Sequence, residues 1–192
     1  MGKNQTVNLR VIVYTALFTA LITIGGYLSF PIPFSPMPIV LSDLFVILAG
    51  LFLGSATGLS SVVLWIFLGA IGLPVFAGGK AGLAVFVGPT AGFLIGYMAC
   101  AFAIGYISTR GKPSILKDFV AIIAGILLMY GFGVPGLKLV LGLTWGKALA
   151  AGLIPFIPGT VIKIIVALAL AKVLRTKFRQ TLYPKMPTNL EG

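Results

Sequence analysis

The chain contains no histidine, one cysteine (Cys100) and three acidic residues, Asp43, Asp118 and Glu191. A single thiol rules out an intrachain disulfide and a cysteine-rich metal site. Without histidine, zinc sites of the common kinds and Ser-His-Asp chemistry have nothing to work with. Three isolated acids leave little room for paired-carboxylate catalysis. The phosphate-binding pattern G-x-x-x-x-G-K-[ST] is also missing, because Gly79-Lys80 is followed by Ala81 and Gly146-Lys147 by Ala148. The chain therefore has no P-loop with which to hydrolyse ATP. These absences argue against an enzyme, and no metal or cofactor is expected.

What is present is apolar. Of 192 residues, 59% are hydrophobic and only 9% charged, with a mean hydropathy of +1.12. That composition belongs to a membrane protein. At ~20 residues per crossing, a chain of this length fits about five to seven spans. Apolar runs broken by Gly, Pro or charge predict an all-α membrane protein, one domain over 1–192, with six spans near 10–29, 39–54, 56–72, 91–108, 118–134 and 159–175. The first run follows Lys3 and Arg10, but it is long and leads into more membrane sequence, so a retained span is expected in place of a cleaved signal peptide. Region 135–158, interrupted by Pro135, Gly136, Lys138 and Lys147, is expected to be re-entrant or interfacial.

A net charge of +11 would point to nucleic acid in a soluble domain. Here the positions of the cations decide otherwise. Ten of the fourteen lie at the chain ends (Lys3, Arg10, Lys172, Arg175, Lys177, Arg179, Lys185) or after the fourth span (Arg110, Lys112, Lys117). Lys80, Lys138 and Lys147 fall on the other side, and Lys163 within a span. Ten against three follows the positive-inside rule, so both termini are expected in the cytoplasm of a multi-pass protein in a prokaryotic cell membrane. No nucleic-acid partner is expected.

This arrangement gathers the irregular backbone on the outer side. One part is FPIPFSPMP at 30–38, with four prolines in nine residues, read as a tight ordered loop. Another is GLPVFAGGKAGLAVFVGPTAGFLIGY at 72–97, too rich in glycine and proline for a plain spanning helix. Non-helical backbone near membrane depth persists where protein buries it or where it lines a wet cavity. Asp43 lies about one turn inside span two and Lys163 about one turn inside span six. An intramembrane lysine is costly and faces a cavity or a partner. Thr160, three residues before it, shares its helix face, and the positive end of that helix favours an anion. Lys163 reads either as an anion-binding group or as a structural partner of Asp43. Lys80, inside the glycine-rich segment, is a candidate binding or gating residue, whereas Lys138 and Lys147 read as interfacial anchors. The opposite side is expected to offer only short turns and solvated charge. Trp65 and Trp145 read as interface or cavity-wall aromatics.

Small-residue pairs recur at Ala16/Ala20, Gly54/Gly58, Gly92/Gly96 and Ala167/Ala171. Such pairs let helices approach closely in lipid.

The segment 72–97, together with PIPFSPMPIVLSDLFVILAGLFLG at 31–54 and PFIPGTVIKIIVALALA at 155–171, resembles the BioY family. These are the biotin-specific substrate-binding (S) components of energy-coupling factor transporters, and the resemblance covers almost the whole chain. It implies six membrane helices around a vitamin pocket near the outer surface, capped by the loops after spans one and three. It also implies partners: a transmembrane coupling protein and two ATPase subunits, the former contacted through Ala16 and Ala20. The substrate-binding set expected from the chain and the resemblance together is Asp43, Lys80, Gly88, Thr90, Tyr97, Thr160 and Lys163, with the glycine-rich loop ordered as a lid over biotin. Two positions depart from the family pattern. Val40-Leu41-Ser42 stands where the pattern has Thr-x-Gln, and Thr160 where it has Asp. Other readings of the composition are a self-sufficient carrier of a small carboxylate-bearing solute and a membrane enzyme acting on lipid intermediates.

Overall fold

A computed structural model describes residues 9–33, 35–111 and 114–182. Lys3, Phe34, Lys112, Lys185 and Glu191, on which parts of the sequence reading fall, lie outside the described residues. The remaining chain forms α1 (Leu9–Tyr27), a two-residue antiparallel hairpin of β1 (Ser29–Phe30) and β2 (Ile39–Val40), α2 (Ser42–Ala70), α3 (Ala91–Thr109), α4 (Ile115–Leu141), α5 (Trp145–Gly152) and α6 (Ile157–Leu182). The proline loop sits at the hairpin's tip, where residues without a free N–H cost nothing in pairing. Among the described residues, five segments are long and apolar enough to cross a membrane, α2 counting as one and residues 145–175 as another.

Helices cover the stretches expected for the first four spans to within a few residues, with one qualification. Spans two and three are a single element, α2, but it is not one straight rod. Gly54 interrupts it with φ 83° and ψ −176°, a conformation that side-chain-bearing residues rarely adopt. A straight helix would hold Asp43 and Trp65 ~33 Å apart, yet both face one cavity. A Cβ built on Gly58 would lie 2.9 Å from the Ala49 carbonyl oxygen. The chain therefore turns back at Gly54, and the two arms of α2 pack against each other.

Region 135–158 departs from expectation in part. Helix α4 continues through Pro135 to Leu141 before Gly142, in left-handed geometry, ends it. Proline at that position forfeits one backbone bond, and close packing accompanies it: a Cβ on Gly136 would lie 2.7 Å from Gly92 Cα. This contact joins α3 to α4 more tightly than any larger side chain would allow. The short α5 and a 3-10 turn at Ile154–Phe156 then lead into α6. Trp145 is exposed on α5, with the Lys138 ammonium 5.2 Å from its ring centre.

Three of the four small-residue pairs are consumed internally. Gly54 makes the reversal and Gly58 packs beneath it; Gly92 and Gly96 seat α3 on α4; Ala167 and Ala171 are buried. Ala16 and Ala20 are exposed, on the same helix as exposed Ile12, Val13, Leu17 and Ile24.

The end of the molecule around Thr109 and Gly54 contradicts the expectation of solvated charge alone. Asp118 and Arg175, 1% and 7% exposed, form a buried ion pair. Arg179 donates to the Leu51 carbonyl at 2.8 Å, the Ser108 carbonyl at 3.2 Å and the Ser108 hydroxyl at 3.0 Å. Both carbonyls belong to the last turns of helices, which attract cations through their unpaired acceptors.

Candidate functional site: a cavity under the glycine-rich segment

Residues 72–90 form no regular span. Two 3-10 turns, Ala77–Gly79 and Leu83–Val87, are linked by glycines at positive φ: Gly78 (67°), Gly79 (76°) and Gly82 (82°). The segment is tied down at its edges. The Gly82 N–H donates to the Gly69 carbonyl at 2.7 Å, and the Trp65 indole N–H donates to the Val75 carbonyl at 2.9 Å. Tyr27 donates its hydroxyl proton to the Pro74 carbonyl. Held in this way, the segment roofs a cavity of about 110 Å³.

The walls are mostly apolar and aromatic. Trp65 and Phe76 meet edge to face with ring centres 5.0 Å apart, and Tyr97 lies 6.0 Å from Trp65. Phe93 meets Tyr130 edge to face at 6.1 Å. Met129, Val85, Phe156 and the proline loop through Pro36, Met37 and Pro38 complete the enclosure. Such a cavity, apolar with a few fixed polar groups, is the usual form of a small-molecule site.

The polar groups sort the expected site residues into three sets. Asp43, Lys80, Thr90 and Tyr97 line the cavity directly. Lys163 and Thr160 reach it only through others. The Lys163 ammonium donates to both carboxylate oxygens of Asp43 at 2.7 Å and to the Val40 carbonyl at 2.7 Å. All three of its N–H groups are thereby engaged. Lys163 is thus the structural partner of Asp43 in this geometry, not a free cation pointing at a ligand. Burial enforces the arrangement, for Lys163 is 6% exposed and Asp43 8%, and a buried charge needs its counter-ion. Thr160 stands 3.0 Å from the Tyr130 hydroxyl, which does line the cavity. Gly88 belongs to neither set. It closes the second 3-10 turn, its N–H 3.3 Å from the Val85 carbonyl and its own carbonyl taking the Ala91 N–H at 3.1 Å, and so shapes the roof without lining it.

Several wall residues escaped the sequence reading, chiefly Tyr130, Phe93, Met129 and Phe76. In an apolar chain they resemble every other membrane-facing residue. Trp65, left open between interface and cavity, is cavity wall and 2% exposed.

Helices of spanning length wrapped around one small, roofed, mostly apolar cavity define a multi-pass membrane protein that holds a small solute. The comparisons with known proteins narrow this class. The BioY family model matches residues 1–180. The chain is 41% identical to the biotin transporter BioY of Rhizobium etli over 187 residues, covering 93% of this chain and 97% of that one. It is 37% identical to the biotin transporter BioY of Thermotoga maritima, covering 85% and 94%. The solved structure of the S-component for biotin from an ECF-type ABC transporter superposes with a TM-score of 0.81 at 31% identity, covering 92% of this chain and 95% of that one. The chain belongs to the BioY family.

Proposed function

We propose that this chain is the biotin-binding membrane subunit of an energy-coupling factor transporter, capturing biotin at the outer face of a prokaryotic cell membrane. The observation that carries the reading is the roofed cavity, in a chain similar over nearly its full length to biotin transporters. Biotin has an apolar bicyclic ring and chain, a urea and a carboxylate. The aromatic wall suits the rings, Asp43 and the hydroxyls suit the urea, and Lys80 suits the carboxylate. The glycine-rich segment of 72–97 acts as the lid, hinged on glycines and tethered at Gly69 and Trp65.

Six crossings with both termini cytoplasmic fit the reversal at Gly54, which divides α2 into two arms, and the ten-to-three distribution of cations. The whole chain then forms one membrane domain, with lipid around its apolar belt. Lacking a P-loop, it works with a coupling protein and two ATPase subunits. The exposed face of α1 around Ala16 and Ala20 is the contact with the coupling protein, since small residues permit close helix approach and the other three pairs are occupied within the fold.

Titration of the purified protein with biotin, followed through the fluorescence of Trp65 in the cavity wall, tests the reading. Saturation below micromolar biotin is expected, and its absence would sink the proposal. In proteoliposomes the chain alone is expected not to accumulate biotin. Ala20→Trp should abolish copurification with the coupling protein and leave biotin binding intact; loss of both together would reject the α1 assignment.

A further inference from the structure

The elbow between α4 and α5 lies outside the cavity, yet it gathers charge that the chain does not balance. Helix α4 ends at Gly142, and α5 runs only from Trp145 to Gly152. At ~12 Å, α5 is too short to cross a bilayer. Between α5 and the proline loop lies an open groove of about 460 Å³, walled by Pro36, Leu141, Leu143, Ala150 and Ala151, with Lys147 as its charged residue. Lys138 stands on the same elbow, its ammonium 5.2 Å from the ring centre of exposed Trp145. Neither lysine has an acidic partner. Asp43 and Asp118, the acids among the described residues, are buried and committed to Lys163 and Arg175. Nor does Lys147 stabilise α5 itself. The first turn of a helix favours anions over cations; α2 and α4 carry Asp43 and Asp118 there, whereas α5 carries Lys147. The Thr144 hydroxyl caps α5 instead, accepting the Lys147 backbone N–H.

We infer that this groove binds an anionic phospholipid, whose phosphate is held by Lys147 and whose acyl chain lies along the apolar walls, steadying the proline loop over the cavity. Charge complementarity selects the occupant. A zwitterionic lipid brings its own cation, which two unbalanced lysines repel, and a soluble anion leaves the apolar walls in water. One molecule with an anionic headgroup and an apolar tail satisfies both halves of the site. An exposed tryptophan beside lysines is also the arrangement of side chains at headgroup level. The groove reaches the cavity through the proline loop. Pro36 lines both spaces. Met37, buried and lining the cavity, places its Cε 3.8 Å from where a Cβ on Gly152 of α5 would stand. An acyl chain in the groove therefore backs the loop from the side away from the cavity. This effect on the cavity, unlike lipid binding itself, rests on the biotin reading.

The full chain in bilayers supplies its own reporter, since Trp145 is exposed on the elbow and Trp65 is buried. Phosphatidylglycerol or phosphatidylcholine with brominated chains quenches the exposed indole according to occupancy. The unaltered protein should prefer phosphatidylglycerol by at least about 5-fold, the contribution of one interfacial lysine. Equal quenching by the two lipids would overturn the site. Lys147→Ala should lower the preference about 5-fold and leave biotin affinity in phosphatidylcholine within about 2-fold. Ala150→Phe fills the groove and keeps both lysines, so it should lower the preference as much. A preference lost in Lys147→Ala but kept in Ala150→Phe would mean surface charge alone attracts lipid, and would overturn the groove. Glycerol 3-phosphate at millimolar concentration, a headgroup without a tail, should leave quenching unchanged; displacement would overturn a lipid as the occupant. For the loop, biotin should leave the unaltered protein about 5-fold more slowly in phosphatidylglycerol than in phosphatidylcholine, a modest coupling between two sites. The dissociation rate is chosen because an anionic surface repels incoming biotin. Equal rates would overturn the link to the proline loop. No biotin binding in either lipid would remove the functional reading, while quenching still decides the lipid site.

Discussion

Helix α6 carries a buried cation near each end, and the two differ in their surroundings. Near its start, Lys163 pairs with Asp43 beside a cavity. Near its end, Arg175 pairs with Asp118 and Arg179 is bonded into two helix ends. There the space is filled: Phe178 stacks on Phe52 with ring centres 5.0 Å apart, and Phe18 and Tyr14 meet Phe178 edge to face at 6.1 and 5.5 Å. The chemistry of the two ion pairs is similar. What separates them is whether the carboxylate borders open space. Asp43 lines the cavity, so its pair can serve a ligand. Asp118 faces packed side chains, so its pair can only hold helices together.

Removing one partner of each pair sharpens this contrast, and the largest effect is expected at the packed end. Asp118→Ala leaves the Arg175 guanidinium buried without its carboxylate, at a cost of about 3–5 kcal/mol. Thermal unfolding in detergent should fall accordingly, while the fraction that remains folded keeps its biotin affinity within about 3-fold. A loss of affinity larger than that in the folded fraction would break the distinction between strut and site. At the cavity the order reverses. Asp43→Asn retains an acceptor for Lys163, which also keeps the Val40 carbonyl, so unfolding should shift less than in Asp118→Ala. Biotin affinity should drop roughly 10- to 100-fold, the range for a hydrogen bond to a charged group. Calorimetric titration beside the melting curve reads both quantities. Unchanged affinity in Asp43→Asn would remove this residue from the site.

The same contrast explains what was legible in the sequence. Charge and hydropathy gave the helices, because apolar length and rare cations are coarse signals that survive without coordinates. They also singled out Asp43 and Lys163, since an ionisable residue inside a span is rare. Rarity measures cost, however, and cost alone does not say which partner offsets it. By sequence Lys163 faces either an anion or Asp43, and the structure shows all its N–H groups consumed by Asp43 and Val40. Asp118, equally rare, carried no marker of its ion pair, because Arg175 is 57 residues away and counted among the topology-setting cations. The reversal at Gly54 left one visible trace, a break between two short apolar runs. The remaining walls, Tyr130 and Phe93 among them, had no signal, since aromatic residues in lipid and around a cavity look the same in composition.

The weakest charge in the comparison is the most exposed. Lys80 lies on the lid with extended backbone, φ −66° and ψ 153°, which alanine adopts freely. Its carbonyl, not its side chain, accepts the Phe76 N–H at 3.1 Å, so Lys80→Ala deletes the ammonium and leaves the turn in place. An ion pair at an exposed site is worth little, and biotin should bind only about 2- to 5-fold more weakly. Two controls separate the charge from the lid. The methyl ester of biotin, which has no anionic end, should bind both proteins equally. Raising the salt concentration toward 1 M, where screening acts within about 3 Å, should erase the difference for biotin itself. If the ester loses as much affinity as biotin, Lys80 acts by shaping the lid, and the carboxylate at the mouth is held by something other than this cation.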